Sequence, residues 1–180
     1  MANWTHFYAH DFAGPDWSPD DKPALDLFGR SSFPAFWFSA FHSACGCTRN
    51  LPLADGGALP VAGLIITAAE GLELAQGRKS LFESILPPEL LGHYETWLEL
   101  LGKHAAARFF QLDPNEVAVL LDDAQLKGWL DEAVSGVSGD KAHLLATFDN
   151  PSLDFDSSAC RVTRYDPTAM PYALLGRSFD

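Results

Sequence analysis

Leu90, Leu91, Tyr94, Trp97, Leu98 and Leu101 follow one another at i, i+1, i+4, i+7, i+8 and i+11. That spacing gathers large apolar side chains on one stripe of a helix, and such a stripe is stable only against a core. Pro87 and Pro88 stand just before it, where they end one helix and allow the next to begin. Any fold open to this chain must therefore bury one face of this helix. The segment WTHFYAH at 4–10 has a different period. It alternates, with Trp4, His6, Tyr8 and His10 facing one way and Thr5, Phe7 and Ala9 the other, as a strand requires. A chain of 180 residues is long enough to close one sizeable core from both kinds of element.

Further elements fall between these anchors. FPAFWFSAFHSAC at 33–45 predicts a short buried helix starting near Pro34, and VAGLIIT at 61–67 a central strand. Residues 68–86 keep helical apolar intervals, interrupted by Gly71 and Gly77. RFFQL at 108–112 reads as a strand and DPNE at 113–116 as a turn. VAVLL at 117–121 is then a returning strand or the start of a helix. Asp122 or Asp123 caps a helix carrying Leu126, Trp129, Leu130, Ala133 and Val134, and KAHLLATF at 141–148 forms another after Asp140. Residues 11–32 and 46–60, with their prolines and glycines, read as loops, and 150–180 as an irregular tail with a possible edge strand at 160–165. The fold class predicted is α+β, a single domain over 1–180 with several amphipathic helices packed on a few strands.

Charge narrows the partners. Twelve Lys and Arg stand against 24 Asp and Glu, a net charge of −12 with a pI near 4.7. Such a surface repels phosphate backbones and anionic lipid, so direct nucleic-acid or membrane binding is disfavoured; it suits a basic protein partner, or simple solubility, which is the commoner reason for such a charge. Three cysteines do not make a disulfide framework, and MANWTHFYAHDF lacks the basic and apolar regions of a signal peptide. The chain reads as cytoplasmic.

FHSACGC at 41–47 invites a chemical reading through His42, Cys45 and Cys47. A structural zinc site needs four ligands, commonly in two pairs, and only one C-x-C is present. Redox pairs are spaced C-x-x-C, and a catalytic thiolate needs a helix N-terminus or a cation beside it, whereas Cys45 falls near the end of the expected helix. A buried structural role is favoured. His6 and His10 on one strand face stand about 13 Å apart, too far to share an ion. Neither a P-loop nor G-x-G-x-x-G nor G-x-S-x-G occurs, so no catalytic residue, metal or cofactor is assigned.

The acidic run is the strongest remaining feature: from Asp113 to Asp156, ten acids stand against two lysines. The candidate contact surface is Asp113, Glu116, Asp122, Asp123, Asp131 and Glu132, with Trp17 as an aromatic anchor. Two segments, MANWTHFY and FFQLDPNE, resemble a group of small bacterial proteins of unknown function. Members begin Met-Ala-Asn and carry an aromatic-x-Leu-acidic-Pro-x-Glu segment; the match rests on Met1, Ala2, Asn3 and Tyr8, then Phe110, Leu112, Asp113, Pro114 and Glu116. The resemblance implies a stand-alone bacterial cytosolic protein with no catalytic residues to carry over. By analogy, it suggests an immunity protein that binds and occludes a cognate toxin. The alternatives are a small thiol- or metal-dependent enzyme using His42, Cys45 and Cys47, and an acidic mimic of nucleic acid.

Overall fold

The alternating strand at the N-terminus is the centre of a sheet. A computed structural model describes residues 4–16, 21–30, 32–53, 56–86, 88, 91–114, 117–118, 122–148, 161–162 and 177–178. In chain order the elements are β1 (Trp4–His10), β2 (Leu25–Arg30), β3 (Ser32–Phe33), a 3₁₀ helix (Ala35–Ala40), β4 (Gly46–Pro52) and β5 (Ala58–Thr67). They continue with α1 (Ala68–Gly77), α2 (Lys79–Glu83), α3 (Leu91–Lys103), β6 (Phe109–Asp113), α4 (Asp123–Ser138), α5 (Lys141–Phe148), β7 (Arg161–Val162) and β8 (Arg177–Ser178). The main sheet is antiparallel, ordered β4-β5-β6-β1-β2, with the two-residue β8 beyond β2. β3 and β7 form a separate two-residue parallel pair. The fold is α+β, as the mixture of periods predicts.

One face of the sheet carries the core. Phe7 is fully buried there, with ring centroids 5.1 Å from Trp97, 5.5 Å from Phe110, 5.8 Å from Trp37 and 6.0 Å from Phe41. Those partners come from α3, β6, and the 3₁₀ helix with the residue just after it, so one strand position joins three other parts of the chain to β1. The predicted stripe on α3 supplies Tyr94, Trp97 and Leu101. Their polar ends are satisfied: Tyr94 Oη donates to Ala75 O (2.7 Å) and Trp97 Nε1 donates to Ser39 Oγ (3.0 Å). Gly71 lets α1 approach closely, because a Cβ there would lie 2.8 Å from the Phe110 ring and 3.2 Å from Ala40 O.

Several sequence expectations change. The helix expected over 33–45 is a six-residue 3₁₀ turn, entirely buried, ending before Phe41. Carbonyls at and just after its end are met by Arg78, whose Nη1 donates to Phe38 O, Ser39 O and Phe41 O at 3.3, 2.7 and 2.6 Å. The loop expected over 11–32 contains β2, where Leu25 and Leu27 enter the core and Asp26 takes the other face. The loop expected over 46–60 contains β4 and the start of β5. Of the segment 117–121, Val117 and Ala118 form a short helical turn, and 119–121 lie outside the described residues. The expected edge strand at 160–165 is described only at 161–162, as β7. Among the described residues, no helix is long and apolar enough to cross a membrane.

Because Phe7 bridges four elements, Phe7→Ala is expected to lower unfolding stability by about 3–5 kcal/mol in a urea titration.

Candidate functional site

The face of the sheet opposite the core is unusually polar. Alternation places His6, Tyr8 and His10 of β1 on it, beside Asp26 of β2 and Gln111 and Asp113 of β6, with Cys47 and Arg49 of β4 farther along. His6 Nδ1 lies 2.8 Å from Asp26 Oδ1, and its ring stacks on Tyr8 at 5.2 Å. His10 Nδ1 accepts from Phe12 N (3.2 Å), so Nε2 carries the proton donated to Gln111 Oε1 (2.9 Å). Gln111 Nε2 in turn donates to Pro15 O (3.1 Å). Burial, then the charge of Asp26, raises the Tyr8 phenol above its ordinary range. Burial lowers the pKa of His10 and keeps it neutral.

Arg49 and Asp113 form an ion pair on this face, 8 % and 1 % exposed. They belong to β4 and β6, so the pair crosses β5. Gly63 lies on that face of β5, paired with Cys47. A larger residue would crowd its neighbours there, since a Cβ would stand 2.9 Å from Leu112 O and 3.5 Å from Cys47 Sγ. Burial lowers the pKa of the guanidinium, and the charges of Tyr8, Asp16 and Cys47 oppose that shift. The loop at 11–16 runs over the same face from β1 to β4, where Asp16 accepts from Asn50 N (2.7 Å) and Asn50 Nδ2 (2.9 Å). These two bonds, backbone first, hold the Asp16 carboxyl below its usual range.

The FHSACGC stretch is a turn leading from the 3₁₀ helix into β4. Cys45 is buried behind the turn, its Sγ accepting from His42 N (3.3 Å), and burial raises its thiol pKa. Cys47 is pushed up to about 12, by burial first and then by the charge of Asp16. Both shifts run opposite to what a reactive thiolate requires. His42 lies on the outside, its Nε2 3.1 Å from Glu70 Oε1 and its Nδ1 accepting from Ala44 N (3.1 Å). Among the described residues, no three metal-ligating side chains come together.

One groove lies at the β4 edge. It measures about 530 Å³, with a floor of Gly46, Thr48, Ala62 and Leu64, a wall of Asp123, Lys127, Leu130 and Asp131 on α4, and an end at Ser43 and Ala44. Gly46, Thr48, Asn50 and Pro52 are all exposed, while α4 packs over the neighbouring strand β5. Asp123, Lys127 and Asp131 recur every four residues and so line one side of α4.

The predicted contact residues divide accordingly. Asp122 and Asp123 are exposed at the start of α4, Asp131 is exposed a little over two turns later, and Glu132 is half-buried beside it. Two of these acids also have structural work. Asp122 caps α4, accepting from Ala124 N (2.7 Å) and Gln125 N (3.4 Å), and Asp123 accepts from Ala62 N (3.0 Å). Asp113 does not belong to the surface: it is buried on the far face of the sheet, held by Arg49. Glu116 and Trp17 lie outside the described residues. No family model, curated protein or solved structure matches this chain. Gly46, Thr48 and Lys127 were not among the candidates. The available signal was the alternation of Cys47, Arg49 and Leu51 with Gly46, Thr48 and Asn50, obscured by an arginine on the inward side.

Asp113→Ala leaves Arg49 buried without its partner, and unfolding stability is expected to fall by about 3–5 kcal/mol. The double change Arg49→Met, Asp113→Leu is expected to recover most of that loss in the same denaturant titration. The lowered pKa of His10 means that the unfolded chain binds the proton more readily than the folded one. Its stabilisation is therefore complete above the ordinary histidine pKa of 6.5 and is lost as pH falls below it. Chemical denaturation at about pH 7.5 and pH 5.5 is expected to show a smaller drop for His10→Gln than for the unaltered protein.

Proposed function

We propose that this chain is a non-catalytic binding protein, acting in the cytoplasm as an immunity protein that occludes a basic toxin domain. The observation that carries this reading is the α4 wall, where Asp122, Asp123 and Asp131 are exposed beside a groove open at a sheet edge. A net charge of −12 adds long-range attraction for a cationic partner and speeds encounter. The polar face of the sheet supports the same reading, because its described hydrogen bonds are directed into the fold rather than towards a substrate cleft. The raised thiols of Cys45 and Cys47 weigh against thiolate chemistry at FHSACGC.

The test is co-expression with the product of the adjacent gene in a bacterial host. Growth rescue and one-to-one co-purification are expected. The variant Asp122→Asn, Asp123→Asn, Asp131→Asn, Glu132→Gln keeps the capping oxygens and removes the charges. It is expected to bind at least about tenfold more weakly. Unchanged neutralisation by that variant would overturn the assignment of this surface.

A further inference from the structure

β4 is the terminal strand of the sheet, and its hydrogen-bond phase can be read from its neighbours. Ile65 N donates to Cys45 O, so in this antiparallel pair the residues at 47, 49 and 51 bond to β5, while those at 46, 48 and 50 point their amides outward. Two bonds agree with this phase. Asn50 N is taken by Asp16, and Ala62 N, which faces away from Thr48, is taken by Asp123. The outward groups of Gly46 and Thr48 have no such cap among the described residues. An uncapped edge is a template for another strand, and most folds block it along its length. Here it is blocked at Asn50 by Asp16 and ends at Pro52, which leaves one short open stretch beside the groove.

We infer that this stretch takes an extended, basic segment of the partner as an added strand, paired to Gly46 and Thr48. The inference rests on the binding function proposed above. A strand added here lies about 4.8 Å outside β4, and its residues opposite Gly46 and Thr48 point to the same side as theirs, into the groove. There they meet Asp123 and Asp131. Gly46 keeps the entrance clear, since a Cβ there would meet nothing within 4 Å. Backbone pairing supplies the attachment, and the two aspartates select lysine or arginine at alternate positions. Lys127, between them, opposes a basic side chain and limits the affinity. A second copy of this chain is a poor occupant, because it brings the same −12 charge to the edge.

The test uses amide chemical-shift titration of the full chain at low salt with three synthetic peptides. One alternates lysine with valine, one replaces its lysines by glutamate, and one replaces a central lysine by proline and adds a terminal lysine, which keeps the charge but removes an N–H that pairs with the β4 edge. The lysine–valine peptide is expected to shift the Gly46 and Thr48 amides and to bind about tenfold tighter than the proline peptide, with the glutamate peptide silent. Thr48→Pro removes an outward N–H without breaking a bond to β5, and Gly46→Trp fills the entrance; each is expected to weaken binding about fivefold or more. Lys127→Glu is expected to strengthen it roughly threefold. Equal binding of the lysine–valine and proline peptides overturns strand docking and leaves the acidic surface standing. Binding of neither overturns both. If the free protein dimerises and Thr48→Pro makes it monomeric, the occupant is a second copy and the inference fails.

Discussion

The Arg49–Asp113 ion pair is the constraint on which the arrangement of the sheet turns. It ties the terminal strand β4 to β6 across β5. A buried charge pair adds little net stability compared with apolar residues of the same size, but breaking it is costly. Its value lies in register. A slip of one residue in β4 would turn Arg49 to the other face and leave Asp113 buried with its charge unmet. The same register sets Gly46 and Thr48 facing outward and fixes the position of the open edge relative to α4.

The two faces of the sheet have different physics. On the core face, aromatic rings meet around Phe7 and hold the 3₁₀ helix and α3 against the strands. On the opposite face, histidines, Tyr8, Gln111 and the ion pair form a polar layer, partly covered by the loop at 11–16. That loop does more than cover. Its Asp16 closes one end of the β4 edge, so the polar layer and the candidate binding edge share a boundary. The acids of α4 have a similar double role, since Asp122 and Asp123 hold local backbone amides while presenting charge at the groove.

Elements whose burial follows from their own spacing were legible in the sequence: β1, the second half of β5, α3, α4 and α5. The 3.6 and 2.0 periods are local properties, and a side chain needs no distant partner to state them. β4 was not legible, because Gly46, Pro52 and the glycines after it carry the marks of a loop, and its inward position 49 is an arginine. An arginine turns inward only when a carboxylate waits for it, and Asp113 lies on another strand, far along the chain. The same fact removed Asp113 from the acidic surface to which its neighbours in sequence assign it. Asp122, Asp123 and Asp131 remained exposed because they sit on the solvent side of an amphipathic helix, which the spacing of Leu126, Trp129 and Leu130 already implies.

The sequence alone determined the class of fold, the inner faces of its regular helices and central strands, and the excess of negative charge, since these follow from composition and local period. Tertiary structure decided which acids are available to a partner, and it made FHSACGC a turn in which burial raises the pKa of both thiols. It also left one strand of the sheet with an open edge. Those outcomes depend on pairing between residues far apart in the chain, where the cost of burying a charge or leaving an amide unmet is settled only by what the fold brings beside it.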